Sequence, residues 1–128
     1  MSGETDLGRL IKSMKPVVRP GEFVFVSIDG PADADTLAMV AEEEGRTLVV
    51  TRETADLRGW PYDYVAGWIT LRVHSSLAAV GLTSAVSTSL ANAGISCNVL
   101  AGYHHDHLLV PIDRVGEAVR VLQMLGAR

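Results

Sequence analysis

Apolar positions along the chain change period several times, and each change predicts an element. Leu7, Leu10, Ile11 and Met14 recur at helical spacing behind the capping candidate Thr5, so residues 5–14 read as a short amphipathic helix that Pro16 and Pro20 end. Glu22 to Ile28, EFVFVSI, is aromatic and β-branched after Gly21, which predicts a strand. Beyond the turn Asp29-Gly30-Pro31, the residues Leu37, Val40 and Ala41 share one helical face. Asp33 or Asp35 can cap that helix and Gly45 can close it. Its last turn would then hold Glu42, Glu43 and Glu44, three carboxylates set against the helix dipole, a run better explained by a solvated face than by local stability. Arg46 to Thr51 predicts a second strand, and Glu53 to Leu57 one further helical turn before Gly59.

The second half is more regular. In YVAGWITLRV, Tyr64 to Val73, strand alternation puts Ile69, Leu71 and Val73 on one face and Trp68, Thr70 and Arg72 on the other. Leu82, Val86 and Leu90, with Ala85 and Ala93, define a helix face closed by Gly94. Cys97–Gly102 and His107–Pro111 read as a strand pair joined through Tyr103–Asp106. A last helix, capped by Asp113, turns Val115, Ala118, Val119, Leu122 and Leu125 inward. A faint repeat links the halves, with helix, glycine and strand recurring around Gly45 and Gly94. Two halves, 1–62 and 63–128, joined at Trp60-Pro61-Tyr62, predict an α+β protein of tandem ferredoxin-like βαββαβ halves, with an antiparallel sheet and helices on one face.

Composition narrows the function classes. The 128 residues are 48% hydrophobic and 20% charged, too apolar for a disordered chain, yet they lack the run of roughly 18 apolar residues that a membrane span needs. The amino terminus has no basic region followed by an apolar core, so a cytoplasmic protein is expected. Acidity is concentrated in Met1–Tyr64, with seven Lys/Arg against twelve Asp/Glu; the remainder has four against three. Neither half clusters the cations that phosphate backbones require, which argues against nucleic acid as a partner. The one cysteine, Cys97, lies in an apolar run and reads as a small hydrophobe.

Two stretches carry candidate chemistry. The hairpin Tyr103-His104-His105-Asp106-His107 could place His105 and His107 on one face, and with His104 and His74 it defines the alternative reading, a metal-dependent enzyme. No carboxylate pair at a catalytic spacing accompanies it, Ser75 and Ser76 lack a nucleophile elbow, and no Lys follows Gly81–Thr83 as a phosphate loop requires. The turn from His74 to Thr83, HSSLAAVGLT, is the second. A helix starting near Gly81 would present unpaired N–H groups, which suit a carboxylate, with hydroxyls from Ser75, Ser76 and Thr83 beside them. Plain helix capping by the same small residues is the competing explanation.

The segment VHSSLAAVGLTSAVSTSLANAGISCNVLAGYHHDHLLVPIDRVGEAVRVL resembles the ACT domain, in particular its CASTOR-type subclass, through the Ser-containing loop, the Gly-Leu-Thr helix start and Ala93-Gly94-Ile95-Ser96. The first half, ETDLGRLIKSMKPVVRPGEFVFVSI, is similar to the partner ACT-like segment of small bacterial proteins. The resemblance implies binding of an amino acid or other small metabolite; with the loop-to-helix start and no catalytic set, the expectation is a non-enzymatic regulatory protein that senses a small molecule, an amino acid by preference, with no cofactor and no metal. The resemblance places the ligand on His74, Ser75, Ser76, Gly81, Leu82, Thr83 and Asn98. With no attached catalytic domain, such a protein would act by associating with another protein, or would buffer or carry its ligand; the small helix face and edge strands predict a homodimer, no membrane is expected as a partner, and a ligand-free assembly module is a further alternative.

Overall fold

A computed structural model describes residues 6–73 and 80–127. The chain forms two compact units that do not follow chain order: residues up to Pro20 join those from Gly67 onward, while Gly21–Ala66 form the second unit. The elements are α1 (Leu7–Ser13), β1 (Pro16–Ile28), β2 (Ala38–Glu42), β3 (Gly45–Thr51), α2 (Arg52–Arg58), β4 (Val65–Leu71), α3 (Leu82–Asn92), β5 (Asn98–Ala101), β6 (Asp106–Pro111) and α4 (Val115–Gly126).

In the discontinuous unit the strand order is β1-β4-β6-β5. Ile69 and Leu71 of β4 and Leu108 and Val110 of β6 point to one face, where Leu82, Val86 and Leu90 of α3, Ala118, Leu122 and Leu125 of α4, and Leu10 of α1 complete a core. Three helices therefore cover the same side of this sheet. The helix faces follow the sequence pattern, because a 3.6-residue period puts every buried position of α3 and α4 on one stripe. At the start of α1 the cap is Asp6, whose carboxylate accepts from Arg9 N–H at 2.9 Å; Thr5, the cap expected from the sequence, lies outside the described residues. Asp113 does not cap α4; it lies in a short 3₁₀ turn, Ile112–Arg114, that leads into the helix.

The second unit has strand order β2-β3-β1, all antiparallel. Val24 and Val26 pack with Leu48, Val50 and Ala55 of α2, and Trp60, Tyr62 and Val65 press against this core, so Trp60-Pro61-Tyr62 is a packed connector. Thr51 caps α2 through Thr54 N–H, and Gly59 closes it in the left-handed conformation at φ 68°.

The sequence-predicted helix over Leu37–Glu44 is instead a strand. Ala38 to Glu42 pair antiparallel with Val49 to Gly45, and the reason lies in burial: Met39 and Val40 are 48% and 53% exposed, so no apolar face exists for a helix to bury. Glu43 and Glu44 form the hairpin turn, and Glu42 accepts a hydrogen bond from the Thr47 hydroxyl. With no helix there, the conflict between three glutamates and a helix dipole disappears. Gly45 is needed at φ 148°, where a Cβ would lie 3.0 Å from the Ile28 carbonyl oxygen. Asp33 and Asp35 cap nothing; both pair with Arg58 and hold the loop to the end of α2. The faint helical repeat around Gly45 therefore reduces to a glycine before a strand.

Candidate functional site

Helix α3 opens the first candidate. Its N-cap is Gly81, with φ 101° and no side-chain capping bond, and Ala85 N–H donates to the Gly81 carbonyl at 2.8 Å. Glycine is favoured here by the positive φ; a Cβ would also come within 2.9 Å of Leu7 Cδ2, the end of an exposed side chain that can shift. Leu82 is buried at 4% exposure, which leaves only its backbone N–H to face a ligand. Thr83 and Ser84 are exposed. His74, Ser75 and Ser76 lie outside the described residues.

Asn98 is not brought to the α3 amino terminus. It sits exposed at the start of β5, directly opposite Leu109. Since Leu108 and Val110 point to the helix-covered side, Leu109 and its partner Asn98 point to the other.

The histidine hairpin is the second candidate, and the fourth histidine of the metal reading, His74, lies outside the described residues. Among the described residues no group of three His, Cys, Asp or Glu side chains could hold one. The hairpin closes through Gly102 N–H to the His105 carbonyl at 3.0 Å, and Tyr103 meets His104 edge-on at 5.1 Å between ring centroids. His107 instead turns its Nδ1 toward β4, 3.2 Å from Trp68 Nε1 and 3.0 Å from Thr70 Oγ1. Burial pushes the His107 pKa down, helped by His105 and Arg19 and opposed by Asp106. Burial likewise raises the Asp106 carboxyl and the Cys97 thiol, which keeps that thiol protonated and unreactive.

Sequence reading missed a third place, in the unit formed by Gly21–Ala66. A cleft of about 700 Å³ is bordered by Glu22, Thr51, Arg52, Glu53, Asp56 and Leu57. Arg52 is oriented there by Tyr62, whose hydroxyl accepts from Nε at 2.9 Å and donates to Asp56 at 2.7 Å, and by Glu22 at 3.5 Å. No sequence signal reveals it, because the partners come together only once the connector Trp60-Pro61-Tyr62 folds back on α2. The hydrogen bond to Tyr62 holds the Arg52 pKa above its ordinary value.

Comparison with known proteins agrees with this architecture. Two ACT domain family profiles match, one over residues 2–67 and the other over residues 64–124. No curated protein matches the chain. Among solved structures, a protein of unknown function from Vibrio cholerae, described as a possible transport protein, is 39% identical, with a TM-score of 0.86 over 94% of this chain and 95% of that one. A protein from Agrobacterium tumefaciens aligns at 16% identity and a TM-score of 0.69, covering 88% and 89% of the two chains. The regulatory subunit of aspartate kinase from Thermus thermophilus shares the fold at 7% identity, with a TM-score of 0.64 over 90% and 97%. The tandem ferredoxin-like arrangement expected from the sequence is the one observed. With one profile spanning just over half of its residues and the second most of the remainder, the chain belongs to the ACT domain family.

Proposed function

We propose that this protein is a non-enzymatic regulatory sensor that binds a small molecule, an amino acid by preference. The observation that carries the reading is the amino terminus of α3, where the N-cap residue has no side chain to spend on the first N–H groups and Thr83 stands exposed beside them. Such a terminus is suited to a carboxylate through its unpaired donors and its partial positive charge. In this reading the backbone N–H groups of Leu82 and Thr83 and the Thr83 hydroxyl contact the carboxylate, Gly81 permits close approach, and His74, Ser75 and Ser76 complete the loop. Asn98, on the opposite sheet face, is left out of this site. The aspartate kinase regulatory subunit shares the fold, which supports a regulatory role for the protein proposed here. We further propose a cytoplasmic homodimer that acts on a protein partner; among the described residues no helix is long and apolar enough to cross a membrane.

Thermal-shift measurements against the proteinogenic amino acids test the reading. A ligand that binds the native state at 100 times its Kd stabilises it by about 2.7 kcal/mol. Thr83→Val should reduce the shift while leaving the ligand-free protein within about 0.5 kcal/mol, since the residue is exposed. If no amino acid shifts the transition, the ligand class is wrong; if one does and Thr83→Val binds it unchanged, the site is wrong. The metal-dependent alternative finds no ligand set among the described residues.

A further inference from the structure

On the side of the β1-β4-β6-β5 sheet turned away from α1, α3 and α4, three polar groups meet in a partly buried place. The Trp68 side chain is 5% exposed, its indole nitrogen lies 3.2 Å from both Thr70 Oγ1 and His107 Nδ1, and the hydroxyl lies 3.0 Å from the same Nδ1. An indole nitrogen only donates. The indole N–H is shared between Thr70 Oγ1 and His107 Nδ1, and the share that goes to Nδ1 needs a lone pair there, as in the neutral imidazole with its proton on Nε2. The rings meet edge-on with centroids 5.4 Å apart, so the contact also has a packing component.

Charges around His107 come from every side. Arg19 of β1 lies over the Trp68 ring at 4.9 Å, His105 stands in the hairpin, and Asp106 is the preceding residue on β6. Burial, His105 and Arg19 all oppose a cation at His107, and Asp106 alone favours one. Near His107, the Nδ1 atom of His105 is buried and has no hydrogen-bond partner among the described residues. In this sheet β5 is an edge strand paired only with β6, so the hairpin is attached to the rest of the sheet through β6.

We propose that His107 is a proton-operated latch for the β5–β6 hairpin: neutral, it ties β6 to β4 through Trp68 and Thr70, and protonated, it loses the Trp68 bond and loosens the edge of the sheet. On protonation a proton from solvent occupies Nδ1, two donors then face each other, and the indole N–H is left with Thr70 Oγ1 as its acceptor. The stability this latch supplies is fully present above the ordinary histidine pKa of about 6.5. Because the folded pKa is lowered, the unfolded chain binds the proton first, and the stabilisation declines as pH falls from that value to the folded pKa. The latch does not depend on any ligand, so it stands or falls separately from the sensor reading.

Nitrogen-resolved NMR of the whole protein between about pH 8 and about pH 4.5 tests it, spanning the histidine range. The expected result is the Nε2–H tautomer of His107 at neutral pH, a midpoint below 6.5, and a Trp68 indole resonance that moves with the same midpoint. Amide exchange of Asn98–Ala101, corrected for its intrinsic pH dependence, should quicken over that range. His107→Asn keeps an acceptor near the Nδ1 position without a titrating proton, so the Trp68 resonance should become insensitive to pH. An Nδ1–H tautomer, a midpoint at or above 6.5, or unchanged β5 exchange would overturn the latch, as would a Trp68 resonance that still titrates in His107→Asn. If that variant fails to fold, the tautomer, midpoint and exchange of the natural protein decide the matter.

Discussion

At the scale of single residues, two glycines separate the reasons for which this fold uses that residue. Gly59 closes α2 at φ 68°, yet a Cβ there would touch nothing within 4 Å. Its requirement is conformational, so Gly59→Ala should cost roughly 1 kcal/mol, the typical penalty for forcing a side chain into the left-handed region. Gly67 has no positive φ, but a Cβ there would sit 2.1 Å from Val115 Cγ2. Its requirement is space: β4 must lie close under the start of α4. Gly67→Ala should destabilise by about 1–3 kcal/mol through overpacking, and pairing it with Val115→Ala should recover part of that loss. Urea midpoints for the three variants test both claims, and a Gly67→Ala protein as stable as the parent would show that α4 moves away at little cost.

Among elements, what the sequence made readable depended on burial. α3 and α4 were legible because each presents one buried stripe, Leu82-Val86-Leu90 and Ala118-Leu122-Leu125. β2 was not, since all its residues but Ala38 are exposed and the accidental spacing of Leu37, Val40 and Ala41 imitates a helix. The same limit applies to the sites. Gly81 announced itself as a glycine at a helix start, whereas Arg52 with Tyr62 and Trp68 with His107 are tertiary pairings that no local pattern encodes. Short helices reveal another dependence, on caps. α1 and α2 have seven residues each, too few to hold without help. Asp6→Ala and Thr51→Ala should each cost about 1 kcal/mol, read as lower thermal midpoints. Replacing Thr5, which the sequence offered as the cap of α1, should leave the midpoint in place; a larger effect there than at Asp6 would reverse the assignment.

For the whole molecule, the discontinuous unit makes the amino-terminal residues part of the core built mainly by the carboxyl-terminal half. Leu10 has no exposed surface and Met14 only 6%, and both belong to the cluster of Ile69, Leu90, Leu108 and Leu122. The end of β4 is tied back by Arg72 N–H to the Lys15 carbonyl at 2.8 Å. A chain folded as two independent halves in sequence order would lose little in its second half from a change at position 10. Here the expected outcome is the opposite: Leu10→Ala should cost about 2–5 kcal/mol, as for any fully buried leucine. The loss should appear far along the chain, as reduced amide-exchange protection at Leu108, Leu109 and Val110, because opening the core under β6 exposes its backbone bonds. Unchanged protection at β6, with the loss confined to α1, would mean that the amino-terminal helix frays separately and that the unit closes without it.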